Sequence, residues 1–154
     1  VRATDASGSA WGLALSIDSI GGIGQSTSLE VVNGNPAISY IDVTNFDLMF
    51  VRSTNASGSA WGTPLAVDTI ENVGHFACLA IVDGNPAISY IDWTNKDLKY
   101  VHATDASGSA WGVPLALDTT GDVGKYTSMV VVDGNPAISY SADTNGDLKF
   151  VMLY

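Results

Sequence analysis

The chain has 154 residues, of which 46% are hydrophobic and only 14% are charged, a composition that supports a packed core and excludes an intrinsically disordered chain. Sixteen acidic residues against six basic ones give a formal net charge of −10, which argues against nucleic acid or an anionic membrane as the partner. No apolar run approaches the roughly 18 residues that a membrane-spanning helix needs.

The sequence repeats every 50 residues. Segment 6–12, Ala-Ser-Gly-Ser-Ala-Trp-Gly, recurs unchanged at 56–62 and 106–112, and segment 34–40, Gly-Asn-Pro-Ala-Ile-Ser-Tyr, recurs at 84–90 and 134–140. A period in this range marks solenoids, propellers or repeat arrays. We expect a single domain, residues 1–154, made of three repeats that cover 1–50, 51–100 and 101–150.

Each repeat predicts four strands. In the first complete unit, residues 28–32 form a short β-branched strand, and a turn at 33–36 leads into a second strand at 37–42. After a turn at 44–47 comes a third strand at 48–52. The third copy of that turn contains Asn145-Gly146, which suits a tight type I′ hairpin. Residues 61–68 form the fourth strand, and no segment has the sustained 3.6-residue apolar period of a helix.

Four antiparallel strands in about 50 residues are typical of one blade of a β-propeller. The first strand of each unit, such as Leu79-Ala-Ile-Val82, is almost continuously apolar, as expected of a strand buried on both faces. We therefore predict an all-β propeller with three four-stranded blades, at about 26–68, 76–118 and 126–154. A β-solenoid is the alternative, although its coils are usually shorter and lack such regular hairpins.

Three blades leave apolar faces exposed at both ends of the arc, so we expect the chain to associate. Residues 11–18 form a lone fourth strand, whereas the last blade has none of its own, so the strand 11–18 of a partner chain is expected to complete it. A homodimer with a six-bladed ring is favoured over a homotrimer with nine, because propellers have about four to eight blades. Segments 1–4 and 151–154 share one repeat register, so one of them must be displaced or paired elsewhere.

The corner between third and fourth strands, with Asp5, Gly8 and Trp11, resembles the Asp-box of sialidase-like propellers, Ser/Thr-x-Asp-x-Gly-x-Thr-Trp. Asp5 lies three residues before Gly8 rather than two, and the second copy has Asn55 instead. The resemblance implies a propeller fold and no chemistry, because the motif is a folding corner away from the active site. The strand pattern is also similar to that of repeat lectins built on small propellers, although no lectin sugar motif is matched.

The residue inventory leads us to expect no enzymatic activity. Sialidases use three arginines on the substrate carboxylate and a Tyr/Glu pair, whereas this chain has only Arg2 and Arg52, and its glutamates are Glu30 and Glu71. Two well-placed carboxylates can serve a glycosidase. However, the fourteen aspartates lie mostly at turns and strand ends, where Asp caps the backbone.

No cofactor or metal is expected either. Segment 42–47 has oxygen ligands of the kind a calcium loop uses, but it lacks the alternating ligands and the distal glutamate, so turn capping is favoured. His75 and His102 have no second soft ligand at a zinc-binding spacing. Cys78 is the single cysteine, which excludes an intramolecular disulfide, and its apolar surroundings indicate a core residue.

The candidate ligand site consists of the positions at which the copies differ. The variable positions lie in the blade-to-blade loop and the start of the inner strand, near the expected mouth of the central channel, and also in the turn between the second and third strands. Aromatic and amide groups there can stack on sugar rings and bind hydroxyls. Neutral drift at exposed positions is the competing explanation for each residue. The candidate binding residues are Gln25, His75, Phe76, Trp93, Lys125 and Tyr126.

These observations lead us to expect a non-enzymatic, lectin-like propeller that is assembled from partial-propeller subunits. The alternative is a purely structural or assembly module, natural or engineered, that has no ligand. The expected partners are a second copy of the chain and carbohydrate, not nucleic acid or a membrane. A secreted or extracellular location is favoured.

Overall fold

The structure, a computed structural model, describes residues 1–153, which form strands in three antiparallel sheets and no helix. Blade 1 contains β1 (Ile23–Val32), β2 (Asn35–Asp42), β3 (Asp47–Arg52) and β4 (Leu65–Asp68). Blade 2 contains β5 (Val73–Val82), β6 (Asn85–Asp92), β7 (Asp97–His102) and β8 (Leu115–Asp118). Blade 3 contains β9 (Val123–Val132), β10 (Asn135–Ala142) and β11 (Asp147–Met152). The prediction of an all-β, three-bladed propeller chain is confirmed.

Two residues with left-handed backbone form the first hairpin of each blade. Asn33 and Gly34 have φ values of 45° and 78°, as a two-residue type I′ turn requires, and Val32 pairs with Asn35 across it. The twist of this turn matches the twist of the flanking strands. The second strand therefore begins at Asn35, two residues earlier than expected from the sequence.

The turn between the second and third strands differs from the expected type I′ hairpin. In blade 3 Gly146 has a φ of 73°, whereas Asn145 is not among the residues with positive φ, so a longer loop replaces the two-residue turn. In blade 1 the backbone N–H groups of Thr44 and Asn45 donate to Asp42 Oδ1, at 2.8 and 3.3 Å. A side-chain carboxylate therefore organises this loop, as is common for Asp at the start of a turn.

The fourth strands are shorter than the sequence predicts. β4 begins directly after Pro64, which cannot donate to a strand ladder, and Trp61 makes only an isolated bridge to Ser53. In segment 11–18, which was expected to form a strand, only Trp11 is bridged, to Ala3. The expected strand is not formed in the single chain, where a third strand to pair with is lacking.

The blades pack side by side through their inner strands. Leu79 N–H of β5 donates to Ser28 Oγ of β1 at 3.0 Å, and Met129 N–H of β9 donates to Cys78 Sγ at 3.3 Å. One buried apolar cluster joins blades 1 and 2 and another joins blades 2 and 3. Because blade 2 has a neighbour on both sides, β5 is largely buried, whereas β1 and β9 each leave side chains exposed. Burial on both faces, expected for all three inner strands, is thus found only for β5.

The constant Ala-Ser-Gly-Ser-Ala-Trp-Gly segment forms a closed corner in each repeat. In the first copy Trp11 Nε1–H donates to the carbonyl of Gly8 at 2.9 Å, and the hydroxyls of Ser7 and Ser9 donate to the carboxylate of Asp5 at 2.9 and 2.6 Å. The hydrogen bonds that Asp5 accepts, above all those from Ser9 and then that from Ser7, lower the pKa of Asp5 to about 2. The segment has a folding role. No helix long and apolar enough to cross a membrane occurs among residues 1–153.

Candidate functional site

Each inner strand has a bulge near its start. In β5 the pairing register shifts at Phe76, whose φ is 53°, and Ser26 and Tyr126 have the same left-handed backbone in β1 and β9. Gly74, two residues before Phe76, has a φ of 88°, and a Cβ built there would lie 2.9 Å from the Cα of Leu48 in blade 1. Any residue other than glycine would therefore be both strained and too close. A bulge of this kind redirects the side chain that it carries.

The bulge residues of neighbouring blades are adjacent. Phe76 N–H donates to Ser26 Oγ at 3.0 Å, and the hydroxyl of Thr127 donates to the carbonyl of Phe76 at 2.8 Å. The rings of Phe76 and Tyr126 lie 4.5 Å apart between centroids, with 51° between their planes. Since the inner strands of a propeller surround its central channel, these positions form an arc at the centre of the molecule.

Trp93, in the turn between β6 and β7, extends this arc into a cluster. Its ring centroid lies 5.2 Å from that of His75 and 6.2 Å from that of Phe76. Tyr126 is 70% exposed, so one aromatic face of the cluster is open to solvent. We name the whole group the aromatic–lysine cluster; its members are His75, Phe76, Trp93, Lys96, Lys125 and Tyr126.

Two lysines lie over the tryptophan ring. Lys96 Nζ is 3.9 Å from the Trp93 ring centroid and Lys125 Nζ is 5.1 Å from it, both within the range of a cation–π contact. Lys125 Nζ also donates to Asp143 Oδ2 at 2.6 Å and to Asp122 Oδ2 at 3.1 Å. The hydrogen bond to Asp143 contributes most to a raised pKa for Lys125, and in return it lowers the pKa of Asp143. Lys125 is therefore a fixed ammonium group rather than a proton donor.

His75 is oriented by a hydrogen bond within the same repeat. Its Nε2 lies 3.0 Å from Asn72 Oδ1, an acceptor, so Nε2–H donates and Nδ1 remains an acceptor. Burial, with a smaller contribution from the charge of Lys96, lowers the pKa of His75. The imidazole is thus neutral at pH 7 and suited to hydrogen bonding with a neutral ligand.

Five of the six candidate residues come together in this cluster. Gln25 does not: it is exposed on β1 of blade 1, and its side chain makes no hydrogen bond to another of residues 1–153. Lys96 belongs to the cluster but is not among the candidates expected from the sequence, although it lies in the same variable turn as Trp93. The ion pair of Lys125 with Asp143 likewise depends on tertiary proximity, whereas the pair with Asp122 joins residues three positions apart. That these residues bind a ligand stays a prediction.

Carboxylates with altered acidity lie at the start of the third strands. Asp47 faces Asp42 across the β2–β3 ladder, and burial, together with the charges of Asp42 and Asp68, raises the pKa of Asp47. The hydrogen bonds that Asp42 accepts, the largest from Asn45, outweigh its burial and lower its pKa. Asp97 in blade 2 has a pKa raised by burial and by Asp92. No group of three or more His, Cys, Asp or Glu side chains suited to hold a metal is found within residues 1–153.

Comparison with solved structures identifies a fold relationship. No protein-family model matches the chain, and no curated protein matches it in sequence. The chain is similar to an α-L-arabinofuranosidase from Podospora anserina, solved in complex with cellotriose, with a TM-score of 0.59, 13% identity and coverage of 87% of this chain and 46% of that one. It is also similar to the catalytic domain of a GH62 α-L-arabinofuranosidase from Coprinopsis cinerea, with a TM-score of 0.58, 13% identity and coverage of 86% and 46%.

The chain spans a little less than half the length of these two structures, which are five-bladed β-propellers. They agree with the predicted propeller fold but give no support to the more specific resemblance to Asp-box repeats. The expectation that the chain is not an enzyme is corrected by this comparison, because the propellers it is similar to are glycoside-cleaving enzymes. That expectation depended on the residue set of sialidases, and it took the aspartates only as turn caps.

Proposed function

We propose that the chain binds a carbohydrate at the aromatic–lysine cluster. The observation that carries the proposal is the continuous aromatic surface of Trp93, Phe76 and Tyr126 at the centre of the propeller, assembled from variable positions of two different repeats. The constant residues of the repeats serve the fold, whereas these positions are free to serve a ligand.

The chemistry of the cluster suits a sugar. Aromatic faces such as that of Tyr126 pack against the C–H faces of a pyranose or furanose ring, and nearby polar groups fix the orientation of its hydroxyls. The ammonium groups of Lys96 and Lys125 are donors, and the carboxylate of Asp143 is an acceptor at the same place. The similar arabinofuranosidase in complex with cellotriose supports a short neutral oligosaccharide as the ligand class.

Calorimetry with cellotriose and with arabino-oligosaccharides at millimolar concentration tests the proposal. We expect measurable binding, and a weakening of about tenfold or more in Tyr126→Ala and in Trp93→Ala, equivalent to roughly 1.4 kcal/mol. Phe46→Ala is the matched control, because Phe46 is an exposed aromatic in the corresponding turn of blade 1, outside the cluster.

Absence of binding to a folded protein at millimolar sugar would overturn the carbohydrate proposal and leave the assembly role. An equal loss of affinity in Phe46→Ala would show that binding does not involve the cluster. Circular dichroism of each variant establishes that the fold is retained.

Hydrolysis of a glycoside is the second candidate function. It is favoured by the pair Asp42 and Asp47, which lie opposite each other across the β2–β3 ladder and have pKa values shifted in opposite directions. Glycosidases likewise divide the nucleophile and acid roles between two carboxylates. Release of nitrophenol from an aryl arabinofuranoside measures this activity. We expect Asp47→Asn to abolish any turnover that is found, and turnover that persists in this variant would exclude the pair as its source.

A further inference from the structure

We propose that a second copy of this 154-residue chain covers the exposed faces of blades 1 and 3, so that two chains close a six-bladed ring. The residues at these two faces, rather than the positions of the chain ends, carry the proposal. It is independent of the carbohydrate site.

The outer face of blade 3 is apolar but uncovered. Leu148 of β11 is 85% exposed, whereas its counterparts at the same repeat position, Leu48 and Leu98, are fully buried. Phe150 is 65% exposed, although its counterpart Phe50 is buried. Exposed apolar surface of this extent marks an interaction site. In blades 1 and 2 the next blade covers the equivalent face, so a further blade is expected to cover this face of blade 3.

The open face of blade 1 is uncovered in the same way. Leu29 of β1 is 68% exposed, while its counterparts Leu79 and Met129 are buried against the preceding blade. Each inner strand can thus pack against a preceding blade. Among the three described sheets, β1 is the one inner strand against which no preceding blade packs. The apolar residues of this face match those of the faces that are already paired within the chain.

The contact between blades 1 and 2 gives the template for the missing one. The Phe50 ring packs edge-on against Trp111, with centroids 5.2 Å apart and planes at 66°. It also lies against the corner glycine: a Cβ built on Gly108 would be 2.7 Å from the Phe50 ring. A phenylalanine of one blade is therefore held by the tryptophan corner of the next blade.

The surface of blade 1 that is equivalent to the Phe50-binding surface of blade 2 is present and is not covered by another blade. Leu29, Pro36, Gly58 and Trp61 line a cavity of about 790 Å³. In repeat register Leu29, Gly58 and Trp61 correspond to Leu79, Gly108 and Trp111, which pack with Phe50 in the contact between blades 1 and 2. Phe150 of a second copy has the size and chemistry to fill this place, and its burial removes apolar surface from water at each of two junctions.

Segment 11–18 already lies where the fourth strand of a preceding blade belongs. Tyr40 donates its hydroxyl to Asp18 Oδ2 at 2.6 Å, as Tyr90 does to Asp68 at the end of β4. Asp68 belongs to the blade before that of Tyr90. Segment 11–18 is therefore docked on blade 1 as the fourth strand of a preceding blade, which the second copy provides in the proposed ring.

β11 has the unpaired edge that this segment needs. In blade 1 the third strand pairs with the fourth, with Phe50 opposite Leu65. By the same register Phe150 of one copy lies opposite Leu15 of the other, which adds ladder hydrogen bonds to the side-chain packing. The exchange is reciprocal, as in a closed symmetric dimer. Two copies give six blades, within the common range and next to the five of the similar structures.

The two overlapping segments, 1–4 and 151–154, can be distinguished. Leu153 N–H donates to the carbonyl of Pro136 at 3.0 Å, in the same way as Ser53 N–H donates to Pro36. Residues 151–153 thus already occupy the end of the third strand of blade 3, where residues 1–3 of the second copy would otherwise lie. Tyr154 lies outside the described residues. We infer that residues 1–3 are displaced in the ring.

Native mass spectrometry of the 154-residue chain is the decisive test. We expect a species of about 32 kDa, twice the 16.0 kDa of one chain. Phe150→Asp places a charge in the apolar junction and should raise the dissociation constant by about 100-fold or more, with the fold of the single chain retained. Phe46→Asp, at an exposed aromatic outside the junction, is the matched control and should leave the dimer unchanged. Deletion of residues 1–3 should also leave it unchanged.

A disulfide test of register complements this measurement. In a Cys78→Ser background, which restores the serine of the other repeats, Leu15→Cys combined with Phe150→Cys should give a covalent dimer on oxidation. Leu15→Cys combined with Phe46→Cys should not. A stable 16 kDa monomer at 100 μM, a trimer of nine blades, or a dimer that tolerates Phe150→Asp and forms no crosslink would overturn the proposal.

Discussion

Blades 2 and 3 have closely similar sequences, yet their apolar residues lie in opposite environments. Leu98 is buried in blade 2 because blade 3 packs over it, whereas Leu148, at the same repeat position, is exposed in blade 3. The difference shows that burial in a repeat protein is a property of the neighbouring unit rather than of the repeat itself. The cost of a mutation should therefore depend on which copy carries it.

The largest effect that tests this comparison is expected from leucine truncation. Leu98→Ala leaves a cavity between two blades and should lower the free energy of unfolding by about 3 kcal/mol. Leu148→Ala removes an exposed side chain and should cost less than about 0.5 kcal/mol in the single chain. Urea denaturation at low and high protein concentration measures both. The cost of Leu148→Ala should grow with concentration if a second copy covers it, and equal costs for the two variants in the dilute protein would contradict the comparison.

A smaller effect is expected at the hydrogen bonds that join the end of the fourth strand to the following blade. The buried Asp68 accepts hydrogen bonds from the hydroxyl of Tyr90 and from Lys99 Nζ, both at 2.6 Å. Asp68→Ala leaves both donors without a partner and should cost about 2 kcal/mol of stability. Asp18 accepts from the hydroxyl of Tyr40 and from the N–H of Ile20 but from no lysine among residues 1–153, so Asp18→Ala should cost about 1 kcal/mol or less. Thermal unfolding of the two variants measures their losses of stability. A larger loss in Asp18→Ala than in Asp68→Ala would contradict the ranking.

The corners of repeats 2 and 3 differ in one charge, and pH should reveal it. The hydroxyl of Ser107 above all lowers the pKa of Asp105 from its usual value of 3.8. Because the folded pKa is depressed, the stabilisation is complete above about pH 4 and is lost as pH falls through the folded value. Asn55 takes the same place in repeat 2 and cannot titrate. Melting temperatures between pH 5 and 2 should fall less steeply in Asp105→Asn and more steeply in Asn55→Asp; unchanged slopes would exclude the corners as acid-sensitive elements.

The smallest effect concerns His75, which belongs to the one repeat that combines histidine and lysine at the cluster. Burial and then Lys96 lower its pKa, so the unfolded chain takes up a proton more readily and stability declines as pH falls below about 6.5. Lys96→Ala removes the repulsive charge and should raise the pKa of His75 towards its ordinary value. An NMR titration of the imidazole measures this, and an unchanged midpoint would show that burial alone sets it.

Much of the fold follows from local sequence. The 50-residue period, the apolar inner strands and the Asn33-Gly34 pair predict the blades and their first hairpin, because type I′ turns need residues that tolerate left-handed φ. Differences between copies also predict most of the candidate site, since the constant residues are committed to packing.

The remaining features depend on contacts between strands and between blades, which local patterns do not encode. The left-handed backbone at Phe76 has no signal in its own residue type, and Ser26 has it in β1 although no blade packs against Gly24. The ion pair of Lys125 with Asp143 joins residues 18 positions apart that β9 and β10 bring together. The shorter fourth strands and the uneven burial of β1, β5 and β9 likewise depend on which neighbours are present.

The bulge in each inner strand has a consequence for how this protein can change. Serine, phenylalanine and tyrosine occupy its central position with nearly the same φ, from 50° to 54°. A non-glycine residue without a β-branch, as all three of these are, costs about 1 kcal/mol in this conformation. Substituting one side chain for another at this point therefore alters the chemistry at the middle of the molecule while the energetic penalty stays constant. The residue at the bulge can therefore be exchanged for another of this kind, and a new binding specificity can arise there without a loss of folding stability.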